Sequence, residues 1–285
     1  MSNYRDRFVD VIRFIEDNLD EEISIESLCR VTNLSKFHFH RQCSAFLGIT
    51  VMTLVRLLRL KSAAYQLAYR ETSIIDIALS CGYQTHESFS RAFRSYFNQS
   101  PSEFRQHPDW TSWQSKYEPV VNLRGRVMSE NFTVDIVDFP ELNIAVMEHR
   151  GSPVLLGDTI RKFIEWRKLN RLPPEKNRTF NLVYDDPRIT PPDEFRFDVA
   201  CEIKEPLKNK GNVLVTKSIP AGQCARIRHI GSDDTIGAVV NFLYSDWIEN
   251  SAYELRDFPV FFERVSFFPE VLEKDAVTDV FLPIQ

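Results

Sequence analysis

Arg41 and Arg91 stand fifty positions apart in matching surroundings. A guanidinium on the outer face of a short helix can bond guanine O6 and N7 as a pair. Lys36, Phe37 and His40 precede the first arginine, and His86, Glu87 and Ser88 precede the second. Lysine can also donate to guanine, glutamate can accept from cytosine N4, and an aromatic ring can touch a thymine methyl. The bland alternative is contact with phosphate or solvent alone, because most protein–DNA hydrogen bonds go to the backbone.

The elements that would hold these side chains are written twice in the chain. The first copy runs Leu28-Cys29, Asn33-Leu34-Ser35, Phe39, Arg41, Phe46-Leu47-Gly48 and Thr50; the second runs Ile77-Ala78, Gly82-Tyr83-Gln84-Thr85, Phe89, Arg91, Tyr96-Phe97-Asn98 and Ser100. Apolar positions keep helical spacing in both copies, so each reads as a helix-turn-helix. Asn33 and Gly82 fall in the tight turns, where positive φ costs these residue types least. Ser35 and Thr85 are expected to cap the second helix of each unit with their side-chain oxygens. Ser73-Ile74-Ile75-Asp76 and Ser100-Pro101-Ser102-Glu103 fit the capping box, the latter with Pro101 at the first helical position. Phe39, Phe46, Phe89 and Phe93 belong to the core. Between the units, residues 51 to 69 lack Pro and Gly and predict one helix about 28 Å long. Such a strut can set two recognition helices roughly 34 Å apart, one DNA turn, so a single chain could read successive major-groove segments. In all, about seven helices are expected over residues 1–107.

Over roughly its first 107 residues the chain resembles the DNA-binding domain of AraC-type transcription regulators. The resemblance rests on Ile25-Glu26-Ser27-Leu28, on Leu34-Ser35-Lys36-Phe37-His38-Phe39-His40-Arg41, on Ser73 to Ala78, on Cys81-Gly82-Tyr83, on Phe89-Ser90-Arg91-Ala92-Phe93 and on Ser100 to Arg105. Cys29 departs from the usual Ala and Asn98 from the usual Gly. The family resemblance implies binding of double-stranded DNA as a monomer, with Phe37, His40, Arg41, His86, Glu87, Ser88 and Arg91 at base-reading positions. It also implies contact with RNA polymerase and an activating role.

Charge placement agrees with that reading even though the whole chain carries a net charge of −5. Residues 28 to 105 hold ten Lys/Arg against four Asp/Glu, whereas residues 106 to 285 hold 22 against 28. The basic excess therefore lies where phosphate would need it. The first fourteen residues include Arg5, Asp6, Arg7, Asp10 and Arg13, which excludes a signal peptide or membrane span there, and a cytoplasmic location is expected. The five cysteines are odd in number and lack paired short spacings, so reduced thiols are expected and neither a disulfide framework nor a zinc site. No cofactor is indicated: there is no Ser/His/Asp or Cys/His signature and no phosphate-cradling Gly loop.

Residues 108–128 read as a linker, because His107-Pro108-Asp109-Trp110, Glu118-Pro119 and Gly125 interrupt helical patterning; Trp110 and Trp113 are expected to dock on one domain. Beyond it, residues 129–285 shift to strand-like alternation and contain a second internal repeat. Pro140, His149 and Gly151 recur as Pro220, His229 and Gly231, Trp166 recurs as Trp247, and Asp198-Val199 as Asp279-Val280. Each half reads strand, helix, strand, strand. The fold class is therefore multidomain, an all-α double helix-turn-helix domain followed by an α+β domain of two βαββ repeats. His149 and His229 each precede a glycine at a strand end and fit a turn-and-cap role better than metal ligation.

This second region is similar to the GyrI-like effector-binding domain, and the joined architecture resembles the Rob-type branch of AraC regulators. A cleft between pseudo-symmetric halves is a plausible place for an amphipathic or cationic small molecule. Glu263 is the anchor expected for it, since the period of two sets this carboxylate on the apolar face of Phe261 and Val265. Tyr184, Trp166 and Trp247 are expected walls. The bland alternative is a salt bridge from Glu263 to Arg226 or Arg228, because buried charges are usually paired. The domain could instead be a ligand-free interaction module, or a small-molecule hydrolase, as some domains resembling GyrI are; a non-enzymatic regulator is the reading preferred.

Overall fold

The computed structural model describes residues 4–127, 132–205, 207 and 214–285, which fall into two compact units, 1–129 and 130–285. In the first unit eight helices are described: α1 (Tyr4–Asp17), α2 (Ile25–Thr32), α3 (Lys36–Leu47), α4 (Val51–Tyr69), α5 (Ile74–Ser80), α6 (His86–Phe97), α7 (Pro101–Gln106) and α8 (Thr111–Val127). The helix α4 has the bounds expected, and its buried residues are spread around the helix rather than along one stripe, with Met52 left exposed. It is the core about which both helix-turn-helix units fold.

The caps set where the helices begin and end. Asn33, Gly48, Gly82 and Asn98 all have positive φ, which ends one helix sharply and aims the next. Thr85 Oγ1 accepts from the Ser88 amide at 3.1 Å, opening α6. Ser35 sits at the matching position of α3 in extended backbone, but its hydroxyl accepts no helix N–H. Ser100 and Glu103 form the reciprocal box, with Pro101 at the first turn. Asp76 does not complete one: its carboxylate accepts a hydrogen bond from the Ser73 hydroxyl at 2.6 Å, since aspartate is one methylene too short to fold back to the Ser73 amide.

The expected linker over 108–128 is largely helix. Pro119 and Gly125 lie inside α8, where Trp113, Tyr117, Val120 and Leu123 are buried in the same core as α4. Trp113 stacks on Phe97 with centroids 4.7 Å apart and on Tyr117 at 4.8 Å. Burying this stripe outweighs the one backbone hydrogen bond that Pro119 forfeits. Arg124 extends the attachment by bonding Glu16 of α1 at 2.6 Å.

Among the described residues the second unit is one antiparallel sheet with two α-helical segments and three short 3-10 turns. In chain order it holds β1 (Asp135–Phe139), β2 (Leu142–Arg150), α9 (Leu156–Asn170), β3 (Thr179–Val183), β4 (Arg196–Glu202), β5 (Val215–Ile219), β6 (Gly222–Ile230), α10 (Ile236–Phe242, continued by a π-helical turn over Leu243–Trp247), β7 (Val260–Ser266) and β8 (Val277–Pro283). Each half thus carries a short leading strand in addition to the βαββ unit. The order across the sheet is β1-β6-β8-β7-β3-β4-β2-β5. The leading strands change halves, β1 pairing with β6 and β5 with β2. The halves join at the centre through β3 and β7.

Alternation divides the sheet residues between its two faces. Ala145, Met147, Val199 and Cys201 pack against α9, while Ala225, Ile227, Val280 and Leu282 pack against α10. The opposite face carries Phe139, Phe180, Phe261 and Phe281, and among the described residues no helix residue contributes to that cluster.

Candidate nucleic-acid interface and ligand face

The helices α3 and α6 present the same surface. In α3, Phe39, Cys43 and Leu47 are buried; in α6, Phe89, Phe93 and Phe97 are. These inward positions hold the opposite sides toward solvent. Lys36, Phe37, His40 and Arg41 are exposed on α3, and His86, Glu87, Ser88 and Arg91 are exposed on α6. Phe37 is 87% exposed, a large apolar ring left in water at the first turn of a helix. Lys36 reaches Glu26 of α2 at 3.4 Å, and His86 lies 3.5 Å from Ser90 through its Nε2.

A residue the sequence pattern did not single out lies against the second turn and bonds the chain between α1 and α2. Arg59 of α4 donates to the Leu19 carbonyl at 2.8 Å and to the Glu21 carbonyl at 2.5 Å. A Cβ at Gly82 would stand 2.5 Å from its guanidinium. Positive φ is what favours glycine there, and a Cβ would also push the end of the Arg59 side chain aside.

The two repeated histidines act within their own turns. His149 bonds Thr159 Oγ1 through Nδ1 at 2.8 Å and faces the Ser152 carbonyl through Nε2 at 3.1 Å. His229 faces the Ser232 carbonyl through Nε2 at 3.0 Å. Gly151 and Gly231, each at positive φ, complete the turns. Burial lowers the pKa of His229 from its ordinary 6.5. The cysteines are free; Cys29 is half-buried and the other four buried. Burial pushes the thiol of Cys43 up to about 12 and those of Cys81, Cys201 and Cys224 up to about 11. Among the described residues no three His, Cys, Asp or Glu side chains are grouped as a metal site, and no single helix is long and apolar enough to cross a membrane.

On the helix-free face of the second unit, charged side chains ring the aromatic centre. Buried Asp198 accepts from Tyr184 at 2.8 Å, Arg150 at 2.9 Å and Lys217 at 2.6 Å. Burial works against the Lys217 ammonium, yet hydrogen bonds to Asp198 and Glu148 hold its pKa above the ordinary value. Asp279, the repeat counterpart of Asp198, is held by both ends of the Arg228 fork at 2.7 Å. Arg226 pairs with Asp135 at 2.8 Å.

Glu263 is paired, though with neither arginine expected. The Arg178 fork binds it at 2.7 and 2.6 Å, while register gives Arg228 to Asp279 and Arg226 to Asp135. These hydrogen bonds hold the Arg178 guanidinium above its ordinary pKa. Of the expected walls, only Tyr184 shares this face. Trp166 packs with Phe163 among the residues around α9, and Trp247 stacks on Tyr253 among those around α10. Both tryptophans are half-buried in the clusters between a helix and the sheet.

Residues 132–285 match the model of the GyrI-like small molecule binding domain. The chain belongs to the GyrI-like family. Residues 28–107 match a helix-turn-helix domain. The probable transcriptional regulator YgiV of Escherichia coli K12 is 34% identical over 157 residues, 54% of this chain and 98% of that protein. The uncharacterized HTH-type transcriptional regulator YbfP of Bacillus subtilis is 40% identical over 94 residues, 33% of this chain and 32% of that protein. The right origin-binding protein of Escherichia coli K12 is 27% identical over 135 residues, 47% of this chain and 46% of that protein. The chain therefore joins an AraC-type helix-turn-helix region to a GyrI-like small molecule binding domain, the make-up of a transcription regulator.

Proposed function

We propose that this protein binds specific sites on double-stranded DNA as a monomer, with α3 and α6 in successive major-groove segments, and activates transcription through contact with RNA polymerase. The observation that carries the reading is the paired surface of α3 and α6, where three inward positions per helix are buried and every candidate base-reading side chain is exposed. Arg41 and Arg91 bond guanine edges, Phe37 meets a thymine methyl, and Glu87 accepts from cytosine. His40, His86, Ser88 and Lys36 complete the two contact sets. The protein acts in the cytoplasm and carries no catalytic site. The boundaries fitting this role are 1–107 for the DNA-binding domain, α8 as an added brace on its core, and 129–285 for the ligand domain.

The second unit holds an amphipathic or cationic small molecule over Phe139, Phe180, Phe261 and Phe281, with Glu263 and Tyr184 as its polar partners. Selecting bound duplexes from a random pool with the full chain tests the DNA reading. The expected result is a bipartite motif whose two segments lie about one helical turn apart. Failure to enrich any sequence, or enrichment only of a symmetric site bound by two chains, contradicts it.

A further inference from the structure

Resting on the reading of the second unit as a ligand domain, we propose that Arg178 is a tethered occupant of the cation subsite at Glu263. Its guanidinium lies where the positive group of an aromatic organic cation would lie, and such a ligand enters only as that side chain leaves.

Three observations converge on this. The guanidinium meets Glu263 as a two-point fork, and its carbon lies 5.0 Å from the Phe180 ring centroid and 5.4 Å from that of Phe139. A carboxylate beside aromatic faces is what an organic cation requires, charge on one side and π-electron density on the other. Phe180 and Phe261 are also wholly buried in a cluster to which no described helix residue contributes, and Arg178 lies over the Phe180 ring.

The internal repeat supplies the third observation. Asp198 and Asp279 occupy equivalent places and both are held by neighbouring cations, so those pairs recur with the fold. Phe180 and Phe261 are likewise equivalent. At the same offset, however, Glu263 corresponds to Leu182 and Arg178 to Pro259. One half of the domain folds with an apolar residue and a proline where the other has the ion pair. The Arg178–Glu263 pair is thus an addition to the repeated frame.

A side chain anchored at the mouth of β3 is present at high effective concentration, so it competes with free cations and lowers their apparent affinity. Removing it vacates a subsite shaped for a guanidinium. Calorimetric titration of the full chain with benzylguanidinium and with neutral benzylurea, near pH 8, tests the idea. Arg178→Ala should bind benzylguanidinium at least about tenfold more tightly than the unaltered protein, with no matching gain for benzylurea. Arg178→Ala combined with Glu263→Gln should lose that gain. Should Arg178→Ala fail to give a cooperative thermal transition, Arg178→Met keeps the chain length without the charge and is held to the same comparison. Equal affinity before and after substitution, or an equal gain for the neutral compound, overturns the role of Arg178 while leaving a ligand domain standing. Absence of binding by every folded variant to either compound overturns the proposal and counts against Glu263 as a ligand anchor.

Discussion

Replacing Trp113 with Ala should weaken the DNA-binding unit severely, although the residue lies outside both helix-turn-helix repeats. Its ring is 4% exposed and is stacked between Phe97 and Tyr117. Truncating a buried Trp to Ala costs about 3 to 5 kcal/mol, with roughly 0.5 to 1.5 kcal/mol expected of each well-stacked aromatic pair within that loss. A domain of this size has about 5 to 15 kcal/mol in total, so the change removes a large fraction. With a urea m value of about 2 kcal/mol per M, the midpoint should fall by about 2 M. Urea titration of residues 1–129 and its Trp113→Ala variant, followed by circular dichroism, measures this. A loss under about 1 kcal/mol would refute the reasoning, since a helix that merely links two domains can lose its tryptophan at little cost.

Two further outcomes are expected. Gly82→Ala should cost about 2 to 4 kcal/mol, because alanine is strained at this positive φ and its methyl displaces Arg59 from two carbonyls; a urea midpoint unchanged from the parent would contradict it. His229 is held neutral by burial, so the unfolded chain takes up its proton more readily than the folded one. Stability of the second unit should therefore be full above the ordinary value of 6.5 and decline as pH falls from there toward the depressed folded value. The decline should shrink in His229→Gln, and thermal melts between about pH 7 and 5 with equal slopes for both proteins would disprove the assignment.

The helix-turn-helix pairs were legible because their signals are local. Turn residues, caps and apolar spacing all fall within one stretch of 23 or 24 residues, Leu28 to Thr50 and Ile77 to Ser100, and Asn33, Gly82, Thr85 and Ser100 do what their types favour. The helix α8 was hidden by Pro119 and Gly125, local breakers overruled by a buried aromatic stripe that only the folded core reveals. In the second unit the repeat disclosed the strands and helices. It could not disclose that β1 and β5 cross between halves, since register across a sheet is set by distant partners. The same limit hid the partner of Glu263. Arg178 lies 85 residues away in sequence and reaches it only because β3 pairs with β7, and the two tryptophans share a repeat position but pack on the helical side, away from Glu263.

The reading of α3 and α6 is tested most directly by Arg41→Ala and Arg91→Ala on a duplex selected by the parent protein. Binding to that site, and to each of its single-base variants, is measured beside binding to random DNA at one fixed salt concentration. Each substitution should cost about 1 to 3 kcal/mol at the selected site and relax discrimination in one half of it, a different half for each arginine. Equal weakening toward selected and random DNA, with base preference intact in both halves, would make the two arginines phosphate contacts and contradict the assignment of α3 and α6 as the reading helices.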